Sequence, residues 1–325
     1  MRGDRPNERG AALLTVLLLV AIVGALAAAT MEKLNLSTRQ AVNAKAMEQA
    51  RGWSQAAAVM ALIRIAAVRK ADSTRVTLAG RWSDRPFPLP IPDGVATARV
   101  HDGGNCFNLN SLVVPVGVDT YAARMPGVQQ FARLMRLIGV PAGDSIAAAA
   151  ADWIDTDSTP ITGGAEDAAY SGLQPAYRTA NTLMADPSEL RAVTGVTAQI
   201  YDKLRPYICA LPTTDPATIN VNTIEPERGA LIAAMAPDTL GVEAVRQALL
   251  ARPPAGWAQA SAFWSMGSLS GQGAGGAMSG TGVTTQWFAL ITDVTIGNVT
   301  LRQTGLIDAR QPAPVLASRQ WGEGA

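Results

Sequence analysis

Two hydrophobic patterns join end to end near the start of the chain. Ala11 to Ala29 (AALLTVLLLVAIVGALAAA) run without a charge, with Thr15 the only polar interruption, and Thr30 and Met31 extend the run to Glu32-Lys33. About 20 apolar residues at 1.5 Å each cover the roughly 30 Å hydrocarbon core of a bilayer. Residues 32–70 are then rich in Ala, Leu, Met, Gln, Glu, Lys and Arg, all good helix formers. Val59, Leu62, Ile63 and Ala66 recur at helical spacing. No proline falls between Pro6 and Pro86, and Gly52 is the only glycine between Gly24 and Gly80. The pattern predicts one helix of about 60 residues, roughly 90 Å long, its first third in lipid and the rest outside. A cleaved secretory signal would be shorter and carry its cut site after the apolar stretch. Hydropathy alone leaves a plain signal anchor open.

Periodicity changes after the helix. Residues 81–94 (RWSDRPFPLPIPDG) hold four prolines and read as an extended connector. Gly94–His101 alternates like a strand, and Asn105–Asn110 is strand-like before it turns. From Tyr121 to Phe263 the pattern is mostly helical, with candidates at Val128–Ile138, Asp144–Ile154, Glu189–Val193, Ala198–Tyr207 and Pro226–Met235. Residues 271–282 (GQGAGGAMSGTG) read as a flexible glycine-rich loop. Trp287–Val294 and Asn298–Ile307 are alternating strands with a turn at Gly297. The tail after Pro312 reads as loosely ordered.

Composition narrows the function. The 325 residues include 27 Lys+Arg and 26 Asp+Glu, a net charge of +1, which argues against a general nucleic-acid binder. A single histidine, His101, removes most triad-type catalysis, and two cysteines cannot build a four-thiolate zinc site. An enzyme is not the expectation. Arg2, Arg5 and Arg9 precede the apolar run and Lys33 follows it, so the positive-inside rule puts the N-terminus in the cytoplasm. The bulk of the chain is then periplasmic, where Cys106 and Cys209 form an even pair in an oxidising compartment. Either they are bridged, closing a loop of about 100 residues, or they are two buried thiols.

Arg9-Gly10 followed by an apolar helix that becomes amphipathic resembles the class III signal of type IV pilins and type II secretion pseudopilins. The resemblance implies that a prepilin peptidase cuts after Gly10 and methylates the new N-terminus at Ala11. Most members carry Glu at the fifth position after the cut, where this chain has Thr15. A carboxylate in lipid is costly unless paired, and in pilins its partner is thought to be a neighbour's terminal amine, so its loss suits a subunit at a filament end. In this respect the chain resembles the GspK family of minor pseudopilins. Further segments carry that likeness over almost the whole chain: CFNLNSL (Cys106–Leu112), ADWIDTD (Ala151–Asp157), GGAEDAAY (Gly163–Tyr170), LRAVTGVTAQIYDKLRPYICALP (Leu190–Pro212) and INVNT (Ile219–Thr223).

The resemblance implies an α+β fold. A small antiparallel sheet, the pseudopilin core, packs on the exposed half of the long helix and carries a large inserted α-helical domain. The expected division is a leader at 1–10, a membrane-spanning part at 11–31, helix and first core part at 32–115, inserted domain at 116–283, and returning strands with tail at 284–325. It also implies a single-pass inner-membrane protein that joins I- and J-type pseudopilins and other pseudopilus subunits. The rival expectation is a membrane-anchored helix-hairpin-helix protein that captures DNA for a competence system.

Three constellations could carry chemistry. Asp152, Asp155 and Asp157 precede Gly163-Gly164 and Glu166-Asp167. Counting from Asp155, carboxylates fall at positions one, three and twelve, close to an EF-hand rhythm, but position six is Pro160 where that loop requires Gly. Hard oxygen ligands in a glycine-containing loop suit Ca²⁺ better than a transition metal; a solvated acidic loop is the plain alternative. The GspK resemblance implies structural calcium, with Asp155, Asp157, Glu166 and Asp167 as ligands and Asp152 as a further candidate. Ser188–Leu211 resembles a helix-hairpin-helix, with Thr197 where a DNA-binding hairpin places a second Gly, and Ile219–Asn222 begins a degenerate second copy. There Arg191, Lys203 and Arg205 are candidate phosphate contacts, blunted by Glu189 and Asp202. His101 beside Asp102 has no nearby nucleophile and reads as a strand-end histidine.

Overall fold

The fold is that of a computed structural model describing residues 6–236, 238–269 and 276–322. Helix α1 (Pro6–Ala71) is unbroken over 66 residues, as propensity and the lack of interior proline require. Residues 6–10 of the expected leader are its first turns, while residues 1–5 lie outside the described part. Its apolar window is 0% buried within the protein. Further along, a stripe of small side chains (Ala46, Ala50, Ser54, Ala57, Ala58 and Ala61) is buried against a sheet. Small residues let the helix axis approach the strands closely, and Ile65 adds a large buried side chain to the same core.

The connector after α1 is not wholly extended coil, for it contains β1 (Phe87–Leu89), which pairs with β2 (Gly94–Asp102). The chain then enters a second body through β3 (Phe107–Asn108), a 3-10 turn at Leu109–Leu112, and the hairpin β4 (Val113–Gly117) and β5 (Thr120–Ala123). Helices α2 (Met125–Leu137) and α3 (Gly143–Ile154) pack face to face. The alanine run of α3 is buried, and Gly143 sits where a Cβ would stand 2.9 Å from the Cβ of Met135. Short elements follow: α4 (Asp167–Tyr170), a 3-10 turn at Pro187–Ala192, α5 (Ala198–Leu204), β6 (Ile208–Cys209), β7 (Ile219–Asn220), α6 (Ala230–Ala233), α7 (Val242–Leu250), α8 (Ala260–Trp264), α9 (Gly276–Ser279) and β8 (Thr281–Gly282). Thus 276–282, read from sequence as flexible loop, form a helical turn and a strand paired with β7; residues 271–275 of that reading lie outside the described part. Their hydrophobic core, from Phe107 to Ala277, is separate from the α1–sheet core.

The chain returns as β9 (Trp287–Ile296), β10 (Val299–Asp308) and β11 (Val315–Trp321). The five-stranded sheet has the order β1-β2-β9-β10-β11 and every pairing is antiparallel. The tail after Pro312 is therefore not loose: its ladder to β10 makes it an edge strand. Ser54 of α1 meets Thr292 at 2.6 Å and donates to Gln303 at 3.0 Å, a buried polar link that sets the position of helix on sheet.

Buried side chains that satisfy backbone groups hold the helical body together and join it to the sheet. Cys106 and Cys209 are disulfide-bonded, Cα–Cα 5.8 Å and 103 residues apart in sequence. Asn110 donates to the carbonyls of Met184 and Leu211 and accepts from the Met184 amide. Asn220 donates to the Val76 carbonyl at 3.0 Å and to Thr285 at 2.9 Å. Thr285 and Thr223 both donate to Asp102 Oδ2, and the Gly104 amide donates to its other oxygen. Burial pushes the Asp102 carboxyl up to about 6, opposed by these donors. The CFNLNSL and INVNT segments are thus buried staples, as satisfaction of buried backbone polar groups demands.

Candidate cation site and the exposed helix face

The acidic site is built where α3 ends. Asp152 occupies the last turn, and Asp155 closes the helix with its amide on the Ala151 carbonyl at 2.9 Å and extended backbone beyond. Thr156 then ties the loop to the hairpin: its amide donates to the Tyr121 carbonyl and its hydroxyl accepts from the Tyr121 amide, each at 3.1 Å. Asp157 accepts from the Thr159 amide at 2.7 Å. Asp152 reaches across the loop and accepts from the Ile161 amide at 3.2 Å. Gly164 is required there, because a Cβ would overlap the Asp152 carboxylate. Glu166 arrives just ahead of α4.

One oxygen each from Asp155, Asp157 and Glu166 lies within 4.8 Å of the others. Oxygens so spaced can share one ion at the 2.3–2.6 Å distances of calcium coordination. Asp155 is 1% and Glu166 7% exposed, and among the described residues Asp155 Oδ1, Glu166 Oε1 and Asp152 Oδ2 accept no hydrogen bond. Buried carboxylate oxygens left without a donor suit a cation. Burial first, then repulsion from Asp157, Asp152 and Glu166, pushes Asp155 up to about 7. Burial and the neighbouring aspartates push Glu166 up to about 6. The donor set therefore fits a hard divalent cation.

Of the five residues expected from sequence, Asp155, Asp157 and Glu166 converge. Asp152 stands behind them, bracing the loop and adding charge. Asp167 is engaged elsewhere: its Oδ1 accepts from the Thr179 amide at 3.0 Å and hydroxyl at 2.9 Å, and Arg178 lies 3.8 Å from its Oδ2. Thr179, which also reaches Glu166 Oε2 at 3.4 Å, was not foreseen; nothing in its local sequence marks it.

Residues of the other constellations make contacts within the chain. Lys203 donates to the Gly139 carbonyl just beyond the end of α2 at 3.2 Å, and Arg191 stacks on Tyr201 at 5.8 Å. His101 does not bond Asp102; its Nδ1 faces Asp84 at 3.6 Å, and burial lowers its pKa. Neither cysteine is free. Beyond the membrane-length run α1 still exposes Val42, Val59, Met60 and Ile63, each by 45–66%. Exposed apolar side chains grouped like Val59, Met60 and Ile63 suit a protein contact.

A long helix, apolar first and amphipathic after, laid on an antiparallel sheet that carries a helical insertion, defines a pilin-like membrane-anchored assembly subunit. Two family models described as "Type II secretion system (T2SS), protein K" match residues 105–213 and 219–284. The chain is 38% identical to type II secretion system protein K of Aeromonas hydrophila over 79% of this chain and 80% of that one. It is 32% identical to the Klebsiella pneumoniae protein of that name over 97% of both. The GspK-GspI-GspJ complex from the type 2 secretion system of enterotoxigenic Escherichia coli contains a chain with TM-score 0.74 and 29% identity, covering 85% of this chain and 97% of that one. The chain belongs to the type II secretion system protein K family, a structural pseudopilin component of type II secretion.

Proposed function

We propose that this chain is the minor pseudopilin that starts and caps the pseudopilus, joining I- and J-type pseudopilins for export across the outer membrane. The reading is carried by the apolar side chains that α1 leaves exposed past the membrane-length run, Val42 and then the group Val59, Met60 and Ile63. Apolar helix faces of partner subunits would cover them. The solved relative was crystallised with GspI and GspJ, which supports partners of those types. The helical body, set on the sheet at the end away from the apolar run, would hinder addition of a subunit above it. Prepilin peptidase would cut after Gly10 and methylate Ala11, leaving the N-terminus cytoplasmic, the helix in the inner membrane and the rest periplasmic. One structural Ca²⁺ would be held by Asp155, Asp157 and Glu166, with Asp152 adjacent. Bound there, the ion neutralises buried negative charge and fixes the loop against the hairpin and α4.

The test is co-purification. Full-length chain solubilised in detergent should elute with co-expressed I- and J-type pseudopilins, and Ile63→Glu should reduce the yield of complex at least tenfold. A chain that elutes alone, or a complex indifferent to Ile63→Glu, contradicts the reading.

A further inference from the structure

The two edges of the sheet are treated differently. On one side β1 is three residues long, and Pro86, Pro88, Pro90 and Pro92 in and around it remove amide donors and blunt the edge. On the other side β11 offers seven residues without proline, nearly all exposed. Its one charged residue, Arg319, packs over Trp321 at 5.6 Å and meets no carboxylate among the described residues. Natural sheets normally protect such an edge.

Its free groups can be assigned. The Gly322 amide donates to the Arg302 carbonyl at 2.9 Å. Antiparallel ladders alternate inward and outward groups, so Gln320 and Ser318 also face β10, while the N–H and C=O of Arg319 and Trp321 point away from the sheet. Trp321 pairs with Gln303, whose side chain faces Ser54 on α1. The side chains of Trp321 and Arg319 therefore stand on the same side of the sheet as α1, and Trp321 is 41% exposed.

We propose that β11 receives an extended strand from the neighbouring pseudopilin subunit whose helix packs along α1, extending the sheet across the subunit boundary. This rests on the proposed function. A neighbour laid along the exposed face of α1 brings its own globular part beside this sheet, and of the two edges only β11 keeps its donors. The incoming strand pairs through its backbone with Arg319 and Trp321, adds apolar cover to Trp321, and places a carboxylate opposite Arg319. Backbone pairing supplies affinity and the flanking side chains supply specificity.

Hydrogen exchange tests this on full-length chain in detergent, alone and with co-expressed I- and J-type pseudopilins. The amides of Arg319 and Trp321 should exchange at least tenfold more slowly in the complex. Arg319→Pro, which deletes an outward donor and spares the β10 ladder, should weaken the complex about tenfold, and Arg319→Glu should do likewise by reversing the charge. Ser318→Ala, at an inward position, should leave it unchanged, and circular dichroism checks that each variant folds. A complex whose Arg319 and Trp321 amides exchange as in the free chain, and which tolerates Arg319→Pro, overturns the strand contact while leaving the proposed function standing. Failure to form any complex overturns both.

Discussion

Replacing Asp155 by Asn should change the sign of its effect on stability when calcium is added. Asp155 is buried beside Asp152, Asp157 and Glu166, and burial plus their repulsion push its carboxyl from 3.8 up to about 7. At pH 8 it is ionised, and holding that charge in the cation-free fold costs on the order of 4 kcal/mol. Asn keeps the shape and removes the charge, at a cost of about 1–3 kcal/mol for an imperfectly bonded amide. The cation-free variant should therefore be more stable by about 1–3 kcal/mol. With calcium at about 1,000 times its dissociation constant the native protein gains about 4.1 kcal/mol, and a variant lacking one of three converging oxygens gains almost none. The order then reverses. Urea unfolding of the full-length chain reads this through Trp153, which packs against Tyr170 with ring centres 5.4 Å apart two residues from the site. The reasoning fails if Asp155→Asn destabilises the chelator-treated protein, or if calcium leaves the native midpoint where it was.

Other expectations follow from the same geometry. Reducing the Cys106–Cys209 bridge, or replacing both cysteines with Ala, reopens a loop of 103 residues and should lower stability by about 4–5 kcal/mol in the chain-entropy treatment; a loss under about 1 kcal/mol in denaturant titration would count against it. Gly164→Ala pushes a Cβ into the Asp152 carboxylate and should cost about 1–3 kcal/mol, measured as a shift of the thermal midpoint with m-value unchanged. Asp102 holds its proton up to about pH 6 when folded but only to 3.8 when unfolded. Between those values the native state binds more protons, so Asp102 makes stability fall as pH rises from about 4 to 6, by up to about 3 kcal/mol. That decline should be absent in Asp102→Asn, and an unaltered pH profile would show that other groups set it.

How legible each part was depended on whether local and tertiary forces agreed. In α1 hydropathy, helix propensity and lack of proline all point one way, and the helix was readable to within a few residues. The alternation of β2, β9 and β10 likewise records one face on α1 and one outside. The hairpin at Val113–Ala123 was missed because VVPVGVD neither alternates nor lacks proline. The strand β11 follows Pro312 and Pro314, so its sequence resembles a tail, and only the partner β10 makes it a strand. The run of acidic residues was visible in the sequence, but not which of them converge. Asp167 is turned to Thr179, twelve residues away, a pairing that no local pattern encodes.

The most direct measurement is the mass of the N-terminal peptide of the chain isolated from membranes. The proposed function predicts a methylated peptide that begins at Ala11, the product of a cut between Gly10 and Ala11 at the cytoplasmic face of the membrane. An intact Met1 would instead mark a fixed membrane anchor and contradict assembly by the pseudopilin route.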